Sequence, residues 1–83
     1  MENMDSKAPL KVKDLATASF LVASGIPVVD IEREGKTCYF IFKGRERALE
    51  LCREFWSGNA LVNAKAFSDA TRSLKDLIFS IPI

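Results

Sequence analysis

The chain has 83 residues, of which 48% are hydrophobic and 28% charged, and its formal net charge at pH 7 is +1. A chain of this length forms one domain, and its composition is that of a folded globular protein rather than a disordered one. The small net charge argues against the large basic excess of proteins that live on nucleic acid or anionic lipid. No apolar run reaches the ~18 residues that span a bilayer, so no membrane association is expected.

The N-terminal segment 1–11 is polar and mixed in charge, and it lacks the apolar stretch of a signal peptide. We expect a flexible leader over 1–11, followed by a single domain over 12–83. A first helix is predicted over residues 13–24, because Gly25 supplies a left-handed stop and Pro27 prevents continuation. This helix is apolar around most of its circumference, so it is either covered on more than one face or free to bind a partner.

Two runs of apolar β-type residues, 26–31 and 37–42, flank a polar bend over 33–36. This arrangement predicts a β-hairpin. Side chains alternate between the two faces of a strand. In the second strand, both the face of Phe40 and the face of Tyr39 are apolar.

A second helix is predicted over 45–56, and a last helix over 64–79 with Asn63 as its N-cap. Between them, residues 60–62 form either a short third strand or a packed linker. The sequence therefore predicts an α+β fold in the order helix, strand, strand, helix, optional short strand, helix. The antiparallel hairpin packs against the helices.

The chain has no histidine, so it lacks the usual base of a catalytic triad and any imidazole metal ligand. Cys38 and Cys52 are too far apart for a CxxC site, and free thiols in a reducing cytoplasm are the favoured interpretation. Glu46, Glu50 and Glu54 share one helical ridge, which is either a solvated face or a carboxylate cluster for a cation. We expect no enzyme activity, no cofactor, no metal, no small-molecule substrate, and a cytoplasmic location.

Basic residues occur in the hairpin bend and at the junction between the second strand and the second helix. Positive charge in the first turn of a helix opposes the helix dipole, and a bound phosphate there would offset that cost. A neighbouring aromatic ring can stack on a base. The alternative is ordinary surface charge. The candidate nucleic-acid or anion site comprises Arg33, Lys36, Tyr39, Lys43, Arg45 and Arg47.

The chain also has more large apolar residues than a small core readily covers. One of them lies off the apolar stripe of the last helix, and an apolar tail follows that helix. A contiguous exposed patch of this kind marks a protein interface, whereas the alternative is a core that wraps these groups. The candidate interface comprises Phe20, Leu21, Ile41, Phe79, Ile81 and Ile83.

The chain resembles an uncharacterised family of short bacterial and phage-associated proteins over residues 11–80. The resemblance is carried by the start of the first helix and Gly25, the aromatic strand 39–42, and the stretches 55–58, 62–67 and 72–75. The resemblance implies a small cytoplasmic protein encoded near mobile or phage-derived genes, and no activity or catalytic residue.

These observations favour a non-catalytic interaction module. Its partner is another protein or a second copy of the chain, and the simplest assembly is a homodimer formed through the first helix or the C-terminal tail. The alternative function is nucleic-acid binding through the basic group.

Overall fold

The structure, a computed structural model, describes residues 8–80. Its elements in chain order are β1 (Leu10–Val12), α1 (Leu15–Ala23), β2 (Val28–Glu34), β3 (Thr37–Phe42), α2 (Arg45–Ser57) and α3 (Ala64–Ser80). The strands form one antiparallel sheet in the order β1-β3-β2. The predicted α+β class is confirmed.

The third strand lies at the N-terminal end, before the first helix. Leu10 of β1 is opposite Phe42 of β3, and Val12 is opposite Phe40. All four side chains are buried in the core, which explains why so short a strand joins the sheet.

The position of β1 corrects the expected start of the domain. Residues 10 and 11, which we assigned to a flexible leader, belong to the sheet. Residues 1–7 of that leader lie outside the described residues. For residues 60–62 the sequence allows a short third strand or a packed linker; they form no strand and connect α2 to α3, with Ala60 packed against the core.

The predicted hairpin is formed by β2 and β3. The turn contains Gly35 and Lys36, and a positive φ at Gly35 alone is the pattern of a type II′ turn. A register shift between Val28 and Asp30 interrupts the pairing. This bulge leaves Val29 exposed at the edge of the sheet.

The helices cover the face of the sheet that carries the core, with α1 between α2 and α3. Phe20 and Leu21 of α1 are therefore buried, and the prediction that they form a protein interface is wrong. Thr17 and Ser19 are also buried, and both are hydrogen-bonded to a neighbouring helix. The helix α1 is apolar around most of its circumference because other elements of the same chain pack against it on several sides.

The helix ends follow the local sequence. Asp14 caps α1, so the helix starts two residues later than predicted. The side chain of Asn63 accepts a hydrogen bond from the amide of Ala66 and caps α3 as predicted. None of the helices within residues 8–80 has the length and apolarity needed to cross a membrane.

Ile41 lies on the face of the sheet that is turned away from the core, yet it is only 5% exposed. The ammonium of Lys11 in β1 lies 2.8 Å from the carboxylate of Glu32 in β2. Because β3 lies between these strands, the ion pair passes over β3, and its aliphatic stems cover apolar surface. The prediction that Ile41 is available to a partner is therefore wrong.

Candidate functional site

The predicted basic residues do not form one surface. Arg33 and Lys36 lie at the hairpin turn, whereas Lys43, Arg45 and Arg47 follow the opposite end of β3. At about 3.3 Å per residue along β3, Lys36 lies roughly 23 Å from Lys43, and Arg33, which is opposite Cys38, lies roughly 17 Å from it. A single phosphate or base cannot contact both groups.

Several of these basic residues also have partners within the described chain. Arg45 Nη1 donates to the carbonyl of Pro9 at 3.4 Å, and Arg47 Nη1 lies 3.3 Å from Glu50 Oε1. The Arg33 guanidinium lies 3.6 Å from the sulfur of Cys38. These contacts engage three of the predicted basic residues within the chain, and nucleic-acid binding stays a prediction.

Tyr39, the predicted stacking group, lies on the outer face of the sheet. The ammonium of Lys11 lies 6.0 Å from its ring centroid, and Glu32 is its partner in β2. A carboxylate directly opposite the ring disfavours a nucleic-acid phosphate there.

Of the predicted interface residues, the structure leaves Phe79 exposed, at 82%. Ile81 and Ile83 lie outside the described residues. The other exposed large apolar side chains are Val29, Trp56, Leu61, Val62 and Leu77.

Trp56 differs from the other exposed apolar residues because its polar atom is fixed to the core. It lies near the end of α2 and is 64% exposed. Its indole Nε1 donates to Thr17 Oγ1 at 3.1 Å, and Thr17 is 0% exposed. The ring is therefore held in place while most of its surface remains open to a partner.

Thr17 in turn is bonded to the N-cap of α1. Its hydroxyl donates to Asp14 Oδ2 at 2.6 Å, and its backbone amide donates to the same oxygen at 2.9 Å. These bonds from the hydroxyl and then the amide lower the pKa of Asp14 below its ordinary value. A chain of hydrogen bonds thus runs from Trp56 through Thr17 to an ionised carboxylate, and it couples α2 to the start of α1.

A groove of about 310 Å³ lies between β1, the start of α1 and the end of α2. We call it the Trp56 groove, and its lining residues are Leu10, Lys11, Val12, Lys13, Asp14, Thr17, Cys52 and Trp56. Most of its exposed lining is apolar, and it includes the exposed Lys13 and also Lys11, whose ammonium is paired with Glu32.

Two groove residues with potentially reactive side chains, Cys52 and Asp14, are buried or hydrogen-bonded within the chain. Cys52 is 1% exposed, and burial raises the pKa of its thiol, which keeps it protonated and poorly nucleophilic. The Oδ2 atom of Asp14 already accepts two hydrogen bonds from Thr17. Over residues 8–80, no three His, Cys, Asp or Glu side chains lie where they could hold a metal ion.

Sequence reasoning missed Trp56 because its spacing from Cys52 places both on the apolar arc of α2, where burial is expected. The detectable signal was Asp14, a strong N-cap three residues before Thr17. That pattern locates the start of α1, but it does not show that the Thr17 hydroxyl reaches α2.

The family described as Domain of unknown function (DUF5659) matches residues 7–80 of the chain. The curated proteins contain no match, and neither do the solved structures. The family match spans every element from β1 to α3 and confirms the resemblance to an uncharacterised family. The bacterial and phage context stays a prediction. The chain belongs to the DUF5659 family, a domain of unknown function.

Proposed function

We propose that the chain is a non-catalytic interaction module that binds a protein partner at the Trp56 groove. The observation that supports this function is an indole ring that is 64% exposed and yet hydrogen-bonded to a fully buried hydroxyl. Tryptophan is enriched among the residues that dominate binding energy at protein interfaces. A ring that is already ordered loses less conformational freedom on binding than a mobile one.

The size and lining of the groove favour a macromolecular partner over a small molecule. Its volume of about 310 Å³ is at the low end for pockets that enclose a drug-sized ligand. It is open at the surface, so it can receive one or two side chains of a partner whose remaining contacts lie outside it. Its apolar lining suits an aliphatic or aromatic side chain.

The structure changes where an interface is expected. The sequence predicts a homodimer through the first helix or the C-terminal tail, but α1 is covered by α2 and α3, and residues 81–83 of the tail lie outside the described residues. The Trp56 groove replaces α1 as the proposed contact surface. Sedimentation of the purified chain at micromolar concentration measures self-association separately from binding to a different protein.

The test compares Trp56→Ala with Phe79→Ala, since both remove an exposed aromatic side chain from the end of a helix. Proteins captured from host lysate by the wild type but lost with Trp56→Ala are purified and titrated calorimetrically. We expect Trp56→Ala to weaken binding by about 30-fold, which corresponds to roughly 2 kcal/mol, the usual threshold of an interface hot spot. Phe79→Ala should change the affinity less than about twofold.

Trp56→Phe serves as a second variant, because it keeps an aromatic ring but loses the bond to Thr17. Circular dichroism confirms that each variant is folded. If folded Trp56→Ala binds the purified partner as tightly as the wild type does, the proposed function is wrong.

A further inference from the structure

The hairpin turn determines which backbone groups of β1 are free. In a two-residue hairpin, the residues next to the turn exchange hydrogen bonds, and alternate pairs follow. Phe40 and Phe42 therefore direct their N–H and C=O groups toward β1, where they meet Val12 and Leu10. By the same alternation, the N–H and C=O of Lys11 point away from the sheet.

The other edge of the sheet supports this assignment. Ile31 of β2 should also direct its amide outward, and that amide donates to the side chain of Asp30 at 2.8 Å. The β2 edge is thus protected by a carboxylate and by the nearby bulge, two devices that discourage strand pairing. No comparable side-chain hydrogen bond reaches the Lys11 backbone among the described residues.

The free edge of β1 forms one side of the Trp56 groove. Lys11 lines the groove, and Trp56 and Cys52 on α2 line it from the opposite side. An extended segment placed along β1 can pair with the Lys11 backbone and insert one side chain toward Trp56. Pro9 has no N–H, and its carbonyl accepts from Arg45, so the main-chain pairing is short.

The charges around the groove favour an acidic segment. Lys13 lines it with an exposed side chain, and exposed Arg53 lies one turn before Trp56 on α2, whereas the ammonium of Lys11 is paired with Glu32 and Glu34. The carboxylate of Asp14 is the one acidic group in the lining, and its Oδ2 already accepts two bonds from Thr17.

We infer that the partner contributes an extended acidic segment that pairs with β1 as a fourth strand and places an apolar side chain against Trp56. This inference rests on the proposed function and names the chemistry of the partner. Main-chain pairing supplies the orientation, the apolar side chain supplies contact area, and flanking carboxylates complement Lys13 and Arg53.

The probes are three blocked peptides with leucine at the centre, valine on each side and two glutamates at each end. The second peptide replaces the glutamates by lysines, and the third carries N-methyl groups on the central amides. Trp56 is the only tryptophan in the chain, so its emission reports binding directly. Amide chemical shifts report contact with the Lys11 backbone.

We expect the acidic peptide to bind at least tenfold more tightly than the lysine peptide, and to shift both the Trp56 emission and the Lys11 amide. N-methylation should weaken binding at least fivefold. Lys13→Glu should weaken acidic-peptide binding, whereas the matched variant Lys75→Glu on α3, which is also exposed, should leave it unchanged.

Equal binding of the acidic and lysine peptides would overturn the inference, as would an unmoved Lys11 amide at saturation. Tighter binding of a single-stranded thymidine oligonucleotide than of the acidic peptide would overturn it as well. If these results accompany loss of partner capture by Trp56→Ala, the proposed function survives and only the chemistry of the segment is wrong.

Discussion

Replacing Thr17 by valine removes the hydroxyl that connects the N-cap of α1 to Trp56. Valine has nearly the same shape, so the fully buried site keeps its packing and no cavity forms. Two hydrogen bonds are lost, the 2.6 Å bond to the Asp14 carboxylate and the 3.1 Å bond from the indole. The amide of residue 17 still caps α1 through Asp14.

The expected loss of stability follows from the two bonds. A neutral hydrogen bond contributes about 0.5–1.5 kcal/mol, and a bond to a charged group about 1.5–3 kcal/mol. Asp14 and Trp56 are exposed, so both regain hydrogen bonds to water in the variant. The expected loss of stability is therefore near the lower end of the summed range, at about 2 kcal/mol. For a domain of this size, that loss lowers the midpoint of thermal unfolding by roughly 8–16 °C.

Urea unfolding followed by circular dichroism measures the stability, and time-resolved fluorescence anisotropy measures the motion of Trp56. We expect Thr17→Val to increase the local motion of the indole. The matched variant Thr17→Ser keeps the hydroxyl and loses one buried methyl group, which costs about 1 kcal/mol. Thr17→Ser should leave the indole ordered. Wild-type stability and unchanged indole motion in Thr17→Val would refute the coupling between α1 and Trp56.

Three further predictions follow from the structure. Folding lowers the pKa of Asp14, so its contribution to the free energy of unfolding is present above the unfolded pKa and is lost as pH falls through the lower folded value. Urea unfolding at a series of acidic pH values should therefore show a weaker pH dependence of stability for Asp14→Asn than for the wild type. Iodoacetamide should modify Cys38 before the buried Cys52, as mass spectrometry would show, and equal rates would contradict the packing of α2. Asp30→Ala should expose the amide of Ile31 and increase concentration-dependent self-association in sedimentation experiments, where sedimentation identical to that of the wild type would contradict the role assigned to that carboxylate.

The hairpin and the last two helices could be predicted because local signals agree there. Two β-type runs flank Gly35, and only a residue that readily adopts positive φ suits the first position of this turn. Asn63 offers a capping oxygen at the start of α3, and the capping bond is observed. The formation of these elements depends on interactions between residues that are close together in the sequence.

The strand β1 and the burial of α1 depend on contacts between distant residues. Leu10–Val12 is too short to show a strand period, and its burial comes from Phe40 and Phe42, about 30 residues away in sequence. Likewise, Phe20 lies off the main stripe of its helix, yet its ring stacks on Phe55 of α2 at 5.0 Å. A helical wheel of α1 alone does not show that α2 covers Phe20.

The candidate site was the least predictable part. The spacing of Trp56 from Cys52 indicates a buried position, whereas the end of α2 leaves the ring 64% exposed beside β1. The basic residues were close in sequence, but an extended strand separates Lys36 from Lys43. Distance along a strand grows by about 3.3 Å per residue, so neighbours in sequence become opposite ends of the sheet.

Fluorine NMR of the chain with fluorotryptophan at its single tryptophan position tests the central claim most directly. One resonance reports the environment of Trp56 alone, even when the partner contains tryptophan. On saturation with a purified partner, the account predicts a shifted resonance and a smaller solvent isotope shift between H₂O and D₂O, because the partner covers the ring. An unchanged resonance and an unchanged isotope shift in the saturated complex would contradict binding at the Trp56 groove.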